Sequence, residues 1–233
     1  LFTPSGVTCS SHPAAAVRRV RVDEAVTLGD GRGVWLEGLV TAAAPKQFDV
    51  RITGRAEVPG PSPRIVLVQA LAKGDRDELA VQAATELGVD AIVPWQAARS
   101  VSRWDAAKSA KGVARWQSIV REAAKQAHRP WVPSVTAVHT TREVATREGL
   151  TLVLDPTASV ALSRVPLPDL SAGAPDAARV TVVVGPEGGI ATEEVDALVQ
   201  AGATPVRPGE TVLRTSTAGP AALAVISARL GRW

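Results

Sequence analysis

The pattern of hydrophobic and polar positions changes near residue 60 of this 233-residue chain. Before that point, short stretches of alternating apolar and polar residues are separated by Gly and Asp, as is typical of antiparallel strands and tight turns. Such strands are predicted over residues 17–22, 25–28, 33–40 and 48–52, with a turn at 29–33. Residues 58–63 contain three prolines and one glycine, which is typical of a linker. The sequence therefore predicts a small antiparallel β-barrel over residues 1–60.

After the linker, strand patterns and helix patterns alternate along the chain. Strands are predicted over residues 64–69, 91–94, 150–154 and 179–184, and helices over 76–87, 107–127, 192–202 and 216–230. Alternation of this kind is typical of an α/β domain. Residues 156–178 are rich in Pro, Ser and Ala and are predicted to form a surface loop.

Two of these helices carry end signals in the sequence. For the helix over 76–87, Asp75 is the predicted N-cap and Gly88 the predicted left-handed residue at the C-terminus. Its apolar face is predicted to contain Leu79, Ala80, Ala83, Ala84 and Leu87. For the helix over 192–202, a hydroxyl cap at Thr192, acidic residues in the first turn and a glycine stop at Gly202 are predicted.

The most informative segment is the predicted strand over 179–184 together with the turn that follows it. Gly185, Gly188 and Gly189 permit backbone angles and close approaches that a Cβ atom would forbid, and Glu187 places one carboxylate among them. A second turn, residues 212–218, brings one cation and three hydroxyl groups just ahead of the last helix. Open α/β sheets bind ligands at the carboxyl ends of their strands, so the two turns are predicted to form one site. A neutral, hydrogen-bonding pocket of this kind suits a purine nucleoside.

Composition narrows the chemistry. The chain is 45% hydrophobic and 21% charged, as in an ordinary globular protein. Cys9 is the only cysteine and the three histidines are scattered, so neither a disulfide framework nor a metal site is expected. The sequence contains neither an apolar run long enough for a membrane span nor a signal-peptide pattern, and a cytoplasmic protein is expected. Walker, Rossmann and nucleophile-elbow motifs are absent, which argues against ATP hydrolysis, nicotinamide chemistry and triad hydrolysis.

Several motifs taken together resemble a known family. They occupy residues 69–76 (Gln-Ala-Leu-Ala-Lys-Gly-Asp-Arg), 84–88, 99–101, 115–116, 122–126, 185–189 (Gly-Pro-Glu-Gly-Gly) and 213–218 (Leu-Arg-Thr-Ser-Thr-Ala). In this order they closely resemble the RsmE family, the 16S ribosomal RNA uridine N3-methyltransferases of the SPOUT superfamily. The resemblance covers essentially the whole chain.

The resemblance implies a fold, a cofactor and partners. It implies a PUA-like, RNA-binding β-barrel over residues 1–60 and a SPOUT-type α/β domain with a trefoil knot over 63–233. S-adenosylmethionine is the implied methyl donor. The implied assembly is a homodimer, and the implied substrate is 16S ribosomal RNA or the assembled small ribosomal subunit. No membrane and no metal is involved in this prediction.

The resemblance also implies which residues form the site. The predicted cofactor-binding residues are Leu154, Asp155, Gly185, Pro186, Glu187, Gly188, Gly189, Ile190, Leu213, Arg214, Thr215, Ser216, Thr217 and Ala218. Arg214 is predicted to stabilise negative charge developing on uracil, and Glu187 to accept a proton or to orient Arg214. Ser216 stands where Glu is common in the family, which leaves Glu187 as the nearest acid. The alternatives are that Arg214 caps a helix or pairs structurally and that Glu187 only satisfies amides of its own turn.

Methylation at N3 of uracil requires an unpaired or flipped base, because that edge is hidden in a duplex. Phosphate-binding cations are predicted at Arg18, Arg19, Arg21, Lys73, Arg76, Arg99, Arg103 and Arg129. Three alternatives stay open: a SPOUT methyltransferase that acts on another RNA position or on the ribose 2'-hydroxyl, a non-catalytic RNA-binding assembly factor, and an unrelated nucleotide-binding enzyme.

Overall fold

A computed structural model describes residues 7–10, 20–44, 47–146, 148–168 and 178–233. The chain divides into two compact units, Leu1–Gly60 and Pro61–Trp233. None of the helices in the described residues is long and apolar enough to cross a membrane.

The first unit contains one antiparallel sheet. Its strands are β1 (Val7–Ser10), β2 (Ala25–Gly29), β3 (Val34–Ala44) and β4 (Gln47–Glu57), in the order β1-β4-β3-β2. One face of the sheet buries a small apolar cluster formed by Val40, Phe48 and Val50. Between β2 and β3, the Asp30 carboxylate accepts hydrogen bonds from the Arg32 and Val34 amides, so the turn expected at 29–33 is present.

The strand predictions for this unit are only partly confirmed. Residues 17–19 of the first predicted strand lie outside the described residues, and Val20–Val22 are not in a strand. Strand β1 was not predicted. Strands β3 and β4 extend well beyond the predicted ends, and two irregularities in their register, at Glu37/Gly38 and Val40/Ala42, interrupt the alternation on which the prediction relied.

The second unit is an α/β domain with a six-stranded sheet. The strands are β5 (Arg64–Ala70), β6 (Ala91–Trp95), β7 (Ser134–Val135), β8 (Leu150–Leu154), β9 (Arg179–Val184) and β10 (Thr204–Val206). The helices are α1 (Arg76–Glu86), α2 (Ala106–Gln126), α3 (Thr141–Ala145), α4 (Thr192–Gln200) and α5 (Thr215–Arg229). All pairs are parallel and the strand order is β10-β8-β9-β5-β6-β7. The α/β fold class, with a small antiparallel unit before it, is confirmed.

The core lies on both faces of this sheet. On one face, Leu67 packs in a cluster with residues of α1, α2 and α5, including Trp116 and Leu223. On the other face, Val183 packs with residues of α3 and α4, including Leu198. Because β5 and β9 are covered on both sides, their sequences are nearly continuous apolar runs rather than alternating ones. Their carboxyl ends lie side by side in the middle of the sheet.

Several details of the helices differ from the prediction. The buried face of α1 contains Ala80, Val81, Ala84 and Thr85, whereas Leu79 is 51% exposed. Asp75 makes no side-chain cap bond; instead, the Asp77 carboxylate accepts from the Ala72 and Glu78 amides. Because α1 is rich in alanine, its faces differ little in hydrophobicity. The pattern of residues therefore did not determine which face of the helix is buried.

Helix α4 begins differently as well. Its N-cap is Ala191, which makes no side-chain cap bond, so the predicted hydroxyl cap at Thr192 is wrong. The Glu194 carboxylate accepts from the Ala191 amide instead. Gly202 has a positive φ of 93° and ends the helix as predicted.

The structure adds elements that were not predicted. These are β7, α3, β10 and a short 3-10 turn over Leu162–Arg164. Leu162 and Val165 are 1% and 3% exposed. This part of the region predicted as a surface loop therefore belongs to the core, while residues 169–177 lie outside the described residues.

Candidate functional site

A cleft of about 810 Å³ lies at the carboxyl ends of β8 and β9. Three loop segments form most of its lining: the turn after β8, the glycine-rich turn after β9, and the loop that leads into α5. Arg76 of α1 and Thr192 and Val195 of α4 complete it. The predicted cofactor-binding residues line this cleft except for Gly188, Ser216 and Thr217. Two loops separated by about thirty residues in sequence thus meet at one edge of the sheet, as the strand-end argument predicted.

The glycine-rich turn is tightly folded. A Cβ atom on Gly185 would lie 2.6 Å from Cγ1 of Ile190, so the turn closes onto itself only with glycine at this position. Gly189 has a positive φ of 72° and its amide donates to the Pro186 carbonyl at 2.9 Å. The turn therefore presents backbone groups and small surfaces to the cleft.

The segment after β8 is held by its own carboxylate. Asp155 Oδ1 accepts from the Thr157 amide and from the Thr157 hydroxyl, both at 2.7 Å. The Asp155 amide donates to the Val206 carbonyl of β10 at 3.0 Å. This wall of the cleft is therefore fixed to the sheet and to itself.

Glu187 is bound to the segment that follows β5. Its Oε1 accepts from the Lys73 amide at 3.1 Å and from Arg76 Nη1 at 2.9 Å. Burial raises the pKa of Glu187, but hydrogen bonds from its own amide, from Lys73 and from Arg76 outweigh burial and lower the pKa below its ordinary value. The carboxylate is therefore ionised, and its Oε1 is engaged by the segment that follows β5.

This pairing corrects the orienting role that was predicted for Glu187. The carboxylate binds Arg76, not Arg214, because the segment after β5 lies against the glycine turn. Arg76 was predicted only as a phosphate-binding cation, yet it lines the cleft. Arg76 is the first residue of α1, six residues after the end of β5, and no pattern in the sequence indicates that its side chain reaches the cleft.

Arg214 lies at the entrance to α5. It lines the cleft, its side chain is exposed, and within the described ranges no hydrogen bond or ion pair involves its guanidinium. It occupies the N-cap position of α5 without making a side-chain cap bond. Since Arg76 is neutralised by Glu187, Arg214 is the unpaired cation among the described residues that line the cleft.

The hydroxyl of Thr215 connects the two turns. It donates to the Gly185 carbonyl at 2.8 Å and accepts from Gln69 Nε2 at 3.0 Å. Gln69 begins one of the family-like motifs, but its role was not predicted. A polar side chain that is fully buried near the end of a strand would have indicated such a role. The sequence alone does not show that Gln69 is buried.

The predicted phosphate-binding cations fall into three groups: those outside the described residues, those that are exposed, and Arg129, which is largely buried. Arg18 and Arg19 lie outside the described residues. Arg21 in the first unit and Lys73, Arg76, Arg99 and Arg103 in the second are exposed. Of these, Arg99 lies against the glycine turn, where its Nη1 donates to the Gly188 carbonyl at 3.2 Å.

Arg129 is a correction. Its side chain is only 14% exposed, and it donates to the carbonyls of Thr85 and Val89 and pairs with Asp90. Burial lowers the pKa of its guanidinium, partly offset by the charge of Asp90. Arg129 is therefore a structural residue and does not offer its charge to RNA.

Asp77 is a buried acid close to the site. Burial raises the pKa of its carboxyl to about 6, although hydrogen bonds from Ala72 and Glu78 act in the opposite direction. Its bond to Ala72 holds the segment that carries Lys73 and Arg76. Within the residues that the structure describes, no group of three or more His, Cys, Asp or Glu side chains is placed to hold a metal ion.

Comparison with known proteins gives a consistent result. Residues 60–227 match the family described as RNA methyltransferase domain. The chain is 42% identical over 227 residues to the ribosomal RNA small subunit methyltransferase E of Mycobacterium bovis, covering 94% of this chain and 84% of that protein. It is 34% identical to the protein of the same name from Bacillus subtilis, covering 70% of this chain and 65% of that protein.

Solved structures agree with the sequence comparison. The ribosomal RNA small subunit methyltransferase E of Neisseria gonorrhoeae, bound to S-adenosylmethionine, has a TM-score of 0.85 and 29% identity, covering 98% of this chain and 94% of that one. The Legionella pneumophila protein Lpg2936, in complex with bound S-adenosylmethionine, has a TM-score of 0.84 and 31% identity over the same shares. The resemblance inferred from the motifs is confirmed, and this chain belongs to the ribosomal RNA small subunit methyltransferase E family.

Proposed function

We propose that this protein transfers a methyl group from S-adenosylmethionine to N3 of a uridine in 16S ribosomal RNA. Its family makes it an S-adenosylmethionine-dependent ribosomal RNA methyltransferase. What we propose beyond the family's activity is that the methylated base is a uridine and that the methylated atom is N3. The observation that carries it is the unpaired, exposed guanidinium of Arg214 at a cleft whose other lining cation is neutralised.

The residues present fit the methyl donor. Gly185, where a Cβ atom would collide with Ile190, and Gly189, with its positive φ, let the turn close tightly, so an adenosyl group can lie against backbone amides and carbonyls there. Ile190, Leu213 and Ala218 supply apolar surface for a flat base. We propose that these residues hold the cofactor. Its binding to related structures of 29% and 31% identity supports this assignment.

S-adenosylmethionine supplies an electrophilic methyl group on a positively charged sulfur. On the RNA side, uracil N3 carries a weakly acidic proton, and losing it leaves negative charge shared between N3 and the neighbouring carbonyl oxygens. We propose that Arg214 stabilises this charge by donating hydrogen bonds to a uracil carbonyl. A free guanidinium is suited to this role because no partner in the described structure has to be displaced.

The fate of the N3 proton follows from the state of Glu187. A carboxylate whose pKa is lowered, and whose Oε1 already accepts from Lys73 and Arg76, is a weak proton acceptor. We therefore propose that the proton passes to solvent and that Glu187 instead holds Arg76 and the glycine turn together. The N3–H bond would break, and the N3 electron pair would then form the bond to the methyl carbon. The methyl–sulfur bond would break in the same step, with its electron pair returning to sulfur, so that neutral S-adenosylhomocysteine leaves.

The exposed cations provide positions for the RNA backbone. Lys73, Arg99 and Arg103 belong to segments adjoining the glycine turn, and we propose that they bind phosphates next to a splayed uridine. We further propose that the first unit, which carries Arg21, is a PUA-like RNA-binding domain. These contacts position the RNA without reading its sequence.

Two further points are proposals at the level of assembly and location. We propose a cytoplasmic homodimer that acts on 16S RNA within the small ribosomal subunit. Sedimentation of the full chain at micromolar concentration tests the dimer: a single species of one chain's mass contradicts it.

The experiment for the proposed function combines binding and transfer. Calorimetric titration with S-adenosylmethionine is followed by methyl transfer to small subunits from cells that lack this protein. We expect binding and the appearance of N3-methyluridine. Binding with methylation of a ribose 2'-hydroxyl or of another base would retain the cofactor and overturn the proposed target, and absence of binding would overturn the cofactor assignment.

A further inference from the structure

Gln69 lies at the centre of the site but does not line the cleft. It is the last residue but one of β5 and is 0% exposed. Its Nε2 donates to the Thr215 hydroxyl at 3.0 Å and to the Ala70 carbonyl at 3.2 Å. The Thr215 hydroxyl donates in turn to the Gly185 carbonyl at 2.8 Å. One buried amide thus connects the central strand with both turns of the cleft.

The direction of these bonds is fixed by chemistry. A hydroxyl has a single proton, and that of Thr215 goes to the Gly185 carbonyl, so its oxygen can only accept from Gln69. The Ala70 carbonyl oxygen, which can only accept, lies 3.2 Å from the same end of the amide, so nitrogen rather than oxygen faces both partners. Gln69 Oε1 is buried and has no hydrogen-bond partner in the structure as described. The side chain is therefore held by its donor group alone.

Burying the Gln69 amide costs free energy, because its oxygen has no hydrogen-bond partner among the described residues. An unpaired buried polar oxygen is unfavourable by about 1–3 kcal/mol, and an apolar side chain of similar size would avoid that cost. A purely structural strand position would favour such a residue. The donor at this position instead binds Thr215 in the first turn of α5, and the Thr215 hydroxyl in turn holds the carbonyl of Gly185, which lines the cleft.

We propose that Gln69 is a positioning residue for the cofactor pocket. Acting through the Thr215 hydroxyl, it fixes the Gly185 carbonyl and the start of α5 so that both turns fit S-adenosylmethionine without rearrangement. This inference rests on the proposed function, because it takes S-adenosylmethionine as the ligand of the cleft. A residue that only stabilised the sheet would affect folding but not the affinity of the folded protein.

The first test compares three variants of the full-length protein by calorimetric titration with S-adenosylmethionine. Gln69→Met keeps the size and removes the donor, and we expect affinity to fall about tenfold. Thr215→Val removes the hydroxyl that relays this bond to Gly185, and we expect its affinity to fall by a similar factor. Thr181→Val is the matched control, because Thr181 is 0% exposed on β9 and its hydroxyl has no hydrogen-bond partner among the described residues.

The second test uses the requirement for a donor. In Gln69→Glu a carboxylate cannot donate to Thr215, whereas the protonated acid can, and burial favours the protonated form. We expect the affinity of Gln69→Glu relative to the wild type to rise as the pH is lowered. The same ratio for Gln69→Met should stay constant. The carboxylates of the pocket are the same in the wild type and in both variants. The ratio of a variant's affinity to that of the wild type at each pH therefore reports only on position 69.

The outcomes separate this inference from the proposed function. If the wild type does not bind S-adenosylmethionine, the proposed function and this inference both fail. If the wild type binds and Gln69→Met binds equally well, only the inference fails, even when the melting temperature falls. Should Gln69→Met not fold, Thr215→Val removes the same connection from the other side. Unchanged affinity in that variant would overturn the inference.

Discussion

Charged side chains are largely buried and paired at the amino end of the parallel sheet, whereas an exposed arginine without a partner among the described residues lies at its carboxyl end. At the amino end, Asp90 lies just before β6 and is 6% exposed. It accepts from the Ile65 amide at 2.8 Å, from Arg232 at 3.1 Å and from Arg129 at 3.4 Å. Arg232 also donates to the carbonyls of Gly88 and Pro63. This end is closed by buried, mutually satisfied groups.

At the carboxyl end, the sheet opens into a cleft. The glycine-rich turn is fixed by Thr215, Lys73, Arg76 and Arg99. The loop into α5, in contrast, leaves Val212 80% exposed and Arg214 without a partner among the described residues. An arginine of this domain is therefore a candidate for function when it lines the cleft and the fold provides no partner for it, as at Arg214, and not merely when it lies in a basic segment.

The largest effect is expected at the open end. Arg214→Ala should lower the rate of methyl transfer by about 10²–10³-fold, as is typical for removal of a group that stabilises developing negative charge. The melting temperature and the affinity for S-adenosylmethionine should stay near those of the wild type, because no hydrogen bond within the described structure is lost. Rates and calorimetry of the same preparation measure this.

The control for that variant is Arg142→Ala. Arg142 is an exposed arginine on α3, away from the cleft, with no side-chain bond to any described residue. Its rate is expected to match the wild type. Equal rates for Arg214→Ala and Arg142→Ala would remove Arg214 from the catalytic machinery.

The next effect is expected at the closed end. Arg129→Ala leaves a buried carboxylate with one fewer partner, so the free energy of unfolding should fall by about 3 kcal/mol. RNA affinity of the folded protein should not change. Urea denaturation and RNA binding at a temperature where the variant is folded test this. A variant of normal stability that binds RNA weakly would reinstate Arg129 as a phosphate-binding residue.

A smaller effect is expected from pH. The folded-state pKa of Asp77, about 6, lies above the ordinary value of 3.8, so folding favours the protonated form. The stability contributed by this proton is fully present below the ordinary value and is lost as the pH rises through about 6. Denaturant titrations across this range should therefore show that the free energy of unfolding of the wild type falls relative to that of Asp77→Asn, which lacks this contribution.

Asp75→Asn is the matched control for Asp77→Asn. Asp75 is exposed in the same turn and makes no side-chain cap bond. It should keep the pH dependence of the wild type. If both variants show the same slope as the wild type, Asp77 is not the group responsible.

The smallest effect is expected for Glu187→Gln. Its ion pair with Arg76 is partly exposed and contributes about 0–1 kcal/mol, and we expect transfer to stay within about threefold of the wild type. A proton acceptor would instead cost about 10²-fold or more. Glu210→Gln, another carboxylate paired with an arginine near the cleft, controls for the loss of charge. A large loss confined to Glu187→Gln would restore the proton-acceptor role.

The sequence predicted the buried strands well. Strands β8 and β9 have the predicted ends, because strands covered on both faces are continuous apolar runs with sharp limits. The rule that ligands bind at the carboxyl ends of strands then placed the two turns of the cleft correctly. A knotted chain, by contrast, follows from no pattern of residues and entered only through the family resemblance.

Sequence signals for helix caps and for RNA-binding cations were less reliable, because contacts between residues distant in sequence determine both. Asp75, Asp77 and Thr192 are all suitable helix caps by residue type, but only the fold determines which carboxylate reaches which amide. Arg129 carried the same sequence signal as Arg99. What separates them is Asp90, which is distant in sequence from Arg129 and approaches it only in the folded chain.

The most direct measurement is mass spectrometry of nucleosides from 16S RNA of small subunits incubated with this protein and S-adenosylmethionine. The subunits come from cells that lack the protein, and each reaction has a parallel with Arg214→Ala. The proposed function requires N3-methyluridine with the wild type and a trace of it with the variant. A methylated ribose, another methylated base, or equal product from both proteins would contradict it.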